Sequence, residues 1–208
     1  MEFFQHDPND FVSRLVTMEE TWLYHYDLES KQQSMEWQHS GLPLPKKFRV
    51  KKSAAKVLAS IFWDKDGILL IDYLQKGQTI NVEYYSSLLV QLKDILKEKC
   101  GRKVTKGVLF LHDNAPAHRI LATQKKLAYL GFQCLDNPPY SPDLAPSDYH
   151  LFPGLKKTIE SSPFLSDAEV IAAAETCLDG RSEFFLSGLQ KLEQWAKKCI
   201  ELRGEYVE

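Results

Sequence analysis

VLFLHDNAPAH, residues 108–118, says more about the architecture of this chain than any other stretch. Its first four residues are all apolar, which is typical of a short strand buried on both faces of a parallel sheet. The run then reaches Asp113, so a carboxylate stands where the strand ends. A second stretch, YSPDLAPSDYHLF at residues 140–152, is a Pro-rich turn that leads Asp148 into the start of a helix. The sequence therefore sets two carboxylates at the ends of separate elements, with 34 residues (114–147) between them.

The residues before this stretch predict three strands. Residues 12–18 and 21–26 are rich in β-branched and aromatic side chains, as expected for a first strand. Residues 56–63 and 68–74 flank the sequence Asp64-Lys65-Asp66-Gly67, which is a signal for a tight hairpin. Together these segments predict a three-stranded antiparallel meander ahead of the buried strand.

The rest of the chain predicts helices around one more short strand. A helix over 81–99 has apolar residues at helical spacing and a stop at Gly101. Ser147 is expected to cap a helix over about 148–160, although Pro153 interrupts its regular part. The order βββαβαβα, followed by extra helices, is that of an α/β, ribonuclease-H-like fold: a mixed five-stranded sheet flanked by helices, with the first and fourth strands side by side. The other expected elements are a helix ending on Gly131, a strand over 132–136, a helix over 167–178 that opens on the capping box Ser166–Glu169, and one or two helices over 182–203.

Composition favours a single intracellular domain. The 208 residues fit one substantial domain, and a hydrophobic content of 44% is enough for a core. A net charge of −2 does not indicate nucleic-acid binding, so DNA contacts are expected only from local patches. Four scattered cysteines form no CxxC pair, so we expect reduced thiols and no zinc site. No apolar run approaches the ~18 residues of a membrane span, and no signal peptide opens the chain, so we expect a nuclear or cytosolic protein.

Two carboxylates at element ends suit phosphoryl transfer that depends on divalent metal ions. Such chemistry uses two ions ~3.5–4 Å apart that carboxylates bridge and flank, and Mg²⁺ prefers oxygen ligands. About three carboxylates from separate rigid elements suffice. The third is expected from the first strand, where Glu19 and Glu20 are the acids available. The alternatives are ordinary structural roles: Asp113 as a helix N-cap, and Asp148 as a first-turn acid favoured by the helix dipole.

LHDNAPAH, the 34-residue spacing and YSPDLAPSDYHLF together resemble the catalytic core of the mariner-type transposases of the Tc1/mariner superfamily. Residues 15–27 (LVTMEETWLYHYD) resemble the first catalytic strand of that family, residues 34–53 its clamp loop, and residues 188–208 its C-terminal end. The resemblance implies a ribonuclease-H-like domain of the integrase/transposase superfamily with an Asp-Asp-34-Asp triad. It also implies Mg²⁺- or Mn²⁺-dependent hydrolysis and transesterification at transposon DNA ends, by a homodimer in the nucleus.

Glu19 departs from the family pattern. The family phrase Thr-x-Asp-Glu-x-Trp reads Thr17-Met18-Glu19-Glu20-Thr21-Trp22 here, so a side chain one methylene longer stands in the first catalytic position. The resemblance implies catalytic and metal-binding roles for Glu19, Asp113 and Asp148. Because a misplacement of ~1 Å can cost ~100-fold in rate, we expect metal binding with impaired cleavage and strand transfer.

Two other functions fit the same residues. The first is a domesticated, catalytically inactive module that binds DNA and dimerises, as part of a host fusion protein; the substitution at Glu19 favours it, whereas intact Asp113 and Asp148 favour the enzyme. The second is a stand-alone ribonuclease H or resolvase-like nuclease, which the long basic insertion does not favour.

DNA contacts are expected mainly from a basic arm inside the single domain 1–208. Residues 27–53 form a polar excursion that the resemblance identifies as the clamp loop, and residues 46–56 hold six basic residues and no acid. Lysines and arginines on such an arm neutralise phosphates without reading bases. The alternative is that this basic run is simply a solvated edge of the domain. The resemblance also implies N-terminal helix-turn-helix domains that read the inverted repeats, and these are absent from this sequence, so contacts to non-specific duplex are expected. The candidate DNA-binding residues are Lys46, Lys47, Arg49, Lys51, Lys52, His118 and Arg119.

The histidines around Asp113 have separate expected roles. His112 should alternate to the opposite face of the strand, where a packed or hydrogen-bonded ring is favoured over a catalytic base. Asn114 and His118 are candidates for orienting either the metal site or the DNA. The C-terminal apolar positions Phe185, Leu189 and Trp195 are expected to be core.

Overall fold

The computed structural model describes residues 8–24, 56–74, 77–135, 141–160, 164, 166–180 and 182–201. Within these residues, five strands form one mixed sheet with helices on both faces. The first part runs α1 (Pro8–Arg14), β1 (Leu15–Tyr24), β2 (Lys56–Asp64), β3 (Gly67–Leu74), α2 (Val82–Lys99), α3 (Gly101–Lys106) and β4 (Val108–Leu111). The second part runs α4 (Pro116–Arg119), α5 (Leu121–Tyr129), β5 (Phe132–Cys134), a 3-10 turn (Pro142–Leu144), a π-helical turn (Ser147–Leu151), α6 (Phe152–Glu160), α7 (Asp167–Leu178) and α8 (Ser182–Glu201).

The sheet has the strand order β3-β2-β1-β4-β5. The β1–β2 and β2–β3 pairs are antiparallel, whereas the β1–β4 and β4–β5 pairs are parallel. The expected meander, the adjacency of the first and fourth strands and the ribonuclease-H-like fold are therefore confirmed. The predicted clamp-loop arm over 27–53 lies outside the described residues.

The register of β1 against β4 sets the first acid beside the second. Leu15 pairs with Leu109 and Thr17 with Leu111 in the parallel ladder. Extending this register by two residues brings Glu19 alongside Asp113. Because side chains alternate between the faces of a strand, residues two apart on these neighbours point to the same side of the sheet.

Each face of the sheet carries its own hydrophobic core. On one face, Val16, Met18 and Phe110 pack against the buried side of α2. On the other face, Leu15 and Leu109 join a cluster to which α6, α7 and α8 contribute. The helices that buttress the sheet thus bury apolar stripes on both sides, which is what fixes β1 and β4 in the middle. No helix in the described part of the chain is long and apolar enough to cross a membrane.

A buried ion pair fastens the hairpin between β2 and β3. Asp64 accepts hydrogen bonds from the backbone N–H groups of Asp66 (2.8 Å) and Gly67 (3.2 Å), which confirms the expected tight turn. Its other carboxylate oxygen lies 2.5 Å from Lys103 Nζ, and both side chains are at least 95% buried. The hairpin is therefore tied to α3, a helix that sequence periodicity does not reveal.

The described part of the chain begins with the helix α1, although residues 12–14 predict strand. Phe11 and Val12 of α1 are buried in the core, and Arg14 Nε donates to the Gly107 carbonyl at 2.8 Å. Arg14 also pairs with Asp10 one helical turn earlier, at 3.3 Å. These contacts outweigh the β propensity of the segment, because packing routinely overrides local preference. β1 then continues without a break from Leu15 to Tyr24.

Candidate active site

Three carboxylates from three elements face one another across the end of the sheet. Glu19 lies in the middle of β1, Asp113 lies two residues after β4, and Asp148 lies in the first turn of the π-helical segment. Burial raises the pKa of Glu19 to about 8, and the negative charges of Asp113, Asp148 and Glu20 add to the rise. Carboxylates perturb one another in this way only when they are close in space. The structure therefore brings the three expected site residues together.

Asp113 is fixed by the loop that follows it. One of its carboxylate oxygens accepts a hydrogen bond from the Ala115 N–H at 3.0 Å and lies 2.5 Å from His118 Nδ1. Burial acts to raise the pKa of Asp113, but these bonds outweigh it, and the pKa lies below its ordinary value. Asp113 is therefore held as a carboxylate in one orientation.

His118 contacts both Asp113 and Glu20, the residue that follows Glu19 on β1. Its ring is fully buried, lies 4.1 Å from the Tyr85 ring between centroids, and has Nε2 3.2 Å from Glu20 Oε1. This second contact is an ion-pair distance whose alignment falls short of a hydrogen bond. Burial disfavours the charged ring, yet Asp113 and Glu20 together raise the pKa of His118 to about 9.

The burial of His118 corrects the expected DNA contact for this residue. A side chain with no exposed surface cannot reach a phosphate, so His118 instead orients Asp113. The partnership with Glu20 is not visible in the sequence pattern, although Glu20 directly follows Glu19 on the strand. It arises because consecutive residues of β1 point to opposite faces of the sheet.

His112 takes the role expected of it. It points away from Asp113, is buried, and has Nδ1 2.9 Å from the Tyr85 hydroxyl. Burial lowers the pKa of His112 to about 4, and the nearby charge of His118 acts in the same direction. His112 is therefore a neutral packed ring, and the expectation of a hydrogen-bonded histidine is confirmed.

The turn that carries Asp148 is anchored to the sheet through the residue before it. Trp63 Nε1 donates a buried hydrogen bond of 2.9 Å to Ser147 Oγ. Ser147 is therefore not the helix N-cap that the sequence predicts: its hydroxyl is engaged by β2, and the turn opens as a π-helix. Such turns occur often at functional sites. Asp148 itself is exposed; burial and the charge of Asp113 raise its pKa, whereas Lys156 opposes the rise.

Helix α8 closes over the same turn from the other side. The Tyr149 hydroxyl donates to the Gly188 carbonyl at 2.8 Å, and His150 Nε2 lies 2.7 Å from the Phe184 carbonyl. A side chain at Gly188 would begin 2.5 Å from His150 Cδ2, so any larger residue there would have to displace the imidazole. Asp148 is thus held between β2 and α8.

The donor chemistry of the site fits a divalent cation such as Mg²⁺ or Mn²⁺. Glu19, Asp113 and Asp148 offer only carboxylate oxygens, and a cation among them would oppose the burial and the repulsion that together raise the pKa of Glu19. Within the described residues, no three His, Cys, Asp or Glu side chains already surround one point as a finished ligand set.

Arg119 is the one expected DNA contact whose exposed side chain the structure describes. Its guanidinium donates to Asn114 Oδ1 at 3.1 Å, so it lies close to Asp113 along the loop. The other five candidates are outside the described residues, and their roles stay predictions: Lys46, Lys47, Arg49, Lys51 and Lys52.

Comparison with known proteins finds a transposase family model, a mariner transposase and one longer protein named for another activity. Residues 27–106 match the family model described as Transposase (partial DDE domain). The chain is 31% identical over 201 residues to the Mariner Mos1 transposase of Drosophila mauritiana, covering 95% of this chain and 57% of that protein. It is 30% identical over 200 residues to the Histone-lysine N-methyltransferase SETMAR of Homo sapiens, covering 95% of this chain and 29% of that protein. The chain thus spans less than two thirds of either curated relative.

Solved structures agree with this similarity. The crystal structure of the catalytic domain of Mos1 mariner transposase superimposes with a TM-score of 0.77 at 29% identity, covering 98% of this chain and 89% of that one. Similar structures of Mos1 include a paired-end complex with Mn, another with Mg, and a strand transfer complex. The chain therefore belongs to the mariner-type transposases, and the part of the family to which it corresponds is their catalytic domain.

Proposed function

We propose that this domain cleaves and joins DNA at transposon ends in a reaction that depends on Mg²⁺ or Mn²⁺, with a rate limited by Glu19. The observation that carries the proposal is the meeting of Glu19, Asp113 and Asp148 at one end of the sheet, where burial, together with the charges of the two aspartates, raises the pKa of Glu19 to about 8. Crowded carboxylates are costly to a fold unless they have a cation to hold. The Mn and Mg complexes of Mos1 support the same assignment.

Each residue of the site has a distinct task in this proposal. Asp113, fixed by His118 and the Ala115 N–H, supplies a carboxylate in a set orientation. Asp148, exposed on a turn held by Ser147, supplies a second from the opposite wall. Divalent ions, when bound, would activate the attacking oxygen and stabilise the leaving one. The protein therefore contributes mainly positioning and negative charge.

Glu19 is the residue of the site that we expect to limit the rate. Glu19 pairs with Ile61 of β2, and the ladder of β1 with β4 ends two residues before it, so its backbone is fixed and the extra methylene cannot be absorbed by moving the strand. Its carboxyl group must fold back to reach the position of a shorter Asp side chain. A misplacement of ~1 Å can cost ~100-fold in rate, so slow chemistry is expected even if ions bind.

A nicking assay with Glu19→Asp tests this limit. A supercoiled plasmid that bears transposon ends would be incubated with Mn²⁺ and either the parent or the variant. The proposal expects the variant to cut faster, by about 10- to 100-fold. Asp113→Ala in both backgrounds is the control and should abolish cutting. If Glu19→Asp is no faster than the parent, Glu19 does not limit the reaction.

The second candidate is a non-catalytic module that binds DNA and dimerises within a host protein. The similarity to the Homo sapiens relative supports it, because this chain covers 29% of that longer protein, which is named for a different activity. Thermal unfolding with and without Mn²⁺ separates the candidates. Metal at 100 times its Kd would add ~2.7 kcal/mol to the free energy of unfolding, and Asp113→Ala should remove this gain. No gain in the parent would favour the module.

DNA ends, non-specific duplex and a second copy of the chain are the partners we propose. The paired-end and strand transfer complexes of Mos1 support DNA as substrate and two transposon ends held at once. Chromosomal DNA as substrate would place the protein in the nucleus. Analytical ultracentrifugation with and without transposon-end DNA measures whether the proposed homodimer forms.

A further inference from the structure

A groove of about 480 Å³ lies beside the turn that carries Asp148. Its volume falls within the ~300–1,000 Å³ that is usual for ligand sites. Tyr149, which directly follows Asp148 in the chain, forms part of one wall, so the groove lies against the turn that carries Asp148. The side chains that line it are Asp143, Tyr149, Lys191, Gln194, Trp195 and Lys198.

One stripe of α8 supplies four of these side chains. Lys191, Gln194, Trp195 and Lys198 recur at helical spacing, so they share one face of the helix. The opposite stripe enters the core through residues such as Leu189. Trp195 is only partly buried and lines the groove, which corrects its expected place in the core.

The groove combines positive charge with an aromatic ring. Two ammonium groups face one carboxylate, that of Asp143, and Lys198 Nζ lies 5.9 Å from the centre of the Trp195 ring. Lys191 is also close to the Asp148 turn, because it lines the groove together with Tyr149 of that turn.

This set of groups matches the chemistry of a nucleic-acid strand with exposed bases. Lysines neutralise backbone phosphates, and aromatic side chains stack on bases of any sequence. Carboxylates and amides, such as those of Asp143 and Gln194, bond to base edges. In a paired duplex the faces of the bases are stacked on one another. The Trp195 ring could therefore stack only on a base of an unpaired or frayed strand.

We propose that this groove binds unpaired DNA next to the reacting phosphate, with phosphates on Lys191 and Lys198 and a base against Trp195. The inference rests on the proposed function, since it takes DNA as the substrate of the neighbouring carboxylates. It adds a site for the strand that becomes single-stranded when an end is opened. The groove would thereby keep that strand in line with the site while its partner strand is cut.

Fluorescence anisotropy with labelled DNA in EDTA tests the groove without any cleavage. The parent chain would be titrated onto a blunt duplex and onto the same duplex with a single-stranded overhang, at several salt concentrations. The overhang is expected to bind more tightly. Lys191→Gln with Lys198→Gln should lose this preference and lower the slope of log affinity against log salt by about 1.4, because each phosphate contact on a single strand contributes about 0.7.

Two further variants separate the role of the groove from loss of charge and loss of folding. Lys97→Gln with Lys99→Gln removes the same charge from exposed positions on α2, across the sheet, and should leave the overhang preference intact. Trp195→Phe keeps a ring and should bind nearly as the parent does, whereas Trp195→Leu should lose about 5- to 100-fold on the overhang. Circular dichroism melts establish that each variant is folded.

The outcomes distinguish this inference from the proposed function. Equal affinity of the parent for blunt and overhang DNA, or an unchanged preference and salt slope in the groove double variant, overturns the groove as a DNA site. If polyglutamate displaces the overhang equally well from the parent and from the Trp195→Leu variant, charge alone explains the binding. That result also overturns the groove as a DNA site. Intact groove binding without metal-dependent cutting by the parent or by Glu19→Asp overturns the proposed function alone.

Discussion

Gly188 of α8 lies so close to His150 that a Cβ atom there would begin 2.5 Å from the imidazole ring. His150 belongs to the π-helical turn of Asp148, and its Nε2 lies 2.7 Å from the carbonyl of Phe184 on α8. The missing side chain at Gly188 therefore determines how near the helix comes to a residue of the candidate site.

Gly188→Ala should displace the Asp148 turn more than it harms the fold. The added methyl must push His150 aside, and such overpacking costs about 1–3 kcal/mol of unfolding free energy. Metal-dependent activity of a Glu19→Asp background should fall further than stability alone explains, because Asp148 moves with the turn. Urea unfolding and nicking rates measure the two effects. Gly154→Ala, where a Cβ meets nothing within 4 Å, is the matched control.

His118→Gln should weaken Mn²⁺ binding by about 10- to 100-fold, which is the usual cost of removing a group that orients a ligand. The imidazole lies 2.5 Å from Asp113 and fixes that carboxylate. Calorimetric titration with Mn²⁺ gives the affinity. His112→Gln alters another buried ring, which faces away from Asp113, and should change the affinity far less. Equal losses in both variants would mean that the effect is merely structural.

Glu19→Gln should stabilise the metal-free protein at alkaline pH and not at acidic pH. Burial and the neighbouring acids raise the pKa of Glu19 from 4.5 to about 8 in the folded state. Between these values the unfolded chain ionises Glu19 while the folded protein keeps the proton, so stability falls by up to about 1.4 kcal/mol per pH unit. Gln carries no such penalty. Below pH 4.5 the penalty is absent, and above about 8 it is constant.

Urea unfolding in EDTA at several pH values, from about 5 to 9, measures this effect. The difference in unfolding free energy between Glu19→Gln and the parent should grow up to about pH 8 and then level off. Glu83→Gln, on the exposed side of α2, should follow the parent throughout. A difference that does not vary with pH would show that Glu19 titrates alike in the folded and unfolded chains.

Lys103→Met should cost about 3–5 kcal/mol, because it leaves the Asp64 carboxylate charged and buried without its partner. Adding Asp64→Asn removes that charge while keeping an oxygen for the N–H groups of Asp66 and Gly67. The double variant should therefore recover much of the loss. Chemical denaturation of the single and double variants gives the coupling energy. A double variant as unstable as the sum of the single variants would refute the ion pair as the cause.

Local sequence patterns are sufficient to predict the sheet and two of the three acids. The apolar run before Asp113 and the hairpin at Asp64 depend on near neighbours, so they follow from the sequence. Glu19 follows only from the resemblance and the position of the first strand. The first two predictions depend on contacts or periodicities within a few residues, whereas that of Glu19 does not.

Contacts between distant residues account for what the sequence does not predict. Ser147 has the residue type and position of an N-cap, but Trp63, 84 residues away in the chain, takes its hydroxyl. His118 is basic and follows Asp113 closely, so a DNA contact is reasonable until the fold buries it against Tyr85 and Glu20. The closeness of Gly188 to His150 has no counterpart in local composition.

Glu19 and Glu20 are adjacent in sequence yet serve opposite sides of the sheet. Glu19 meets the acids of the candidate site, whereas Glu20 reaches the buried ring of His118. A slip of β1 that moved Glu20 into the place of Glu19 would bring Thr21 to His118, which would then have Asp113 as its one remaining anion of the two. Glu19 and Glu20 therefore cannot replace each other. If the first ligand is lost in evolution, the adjacent glutamate cannot simply take over its role.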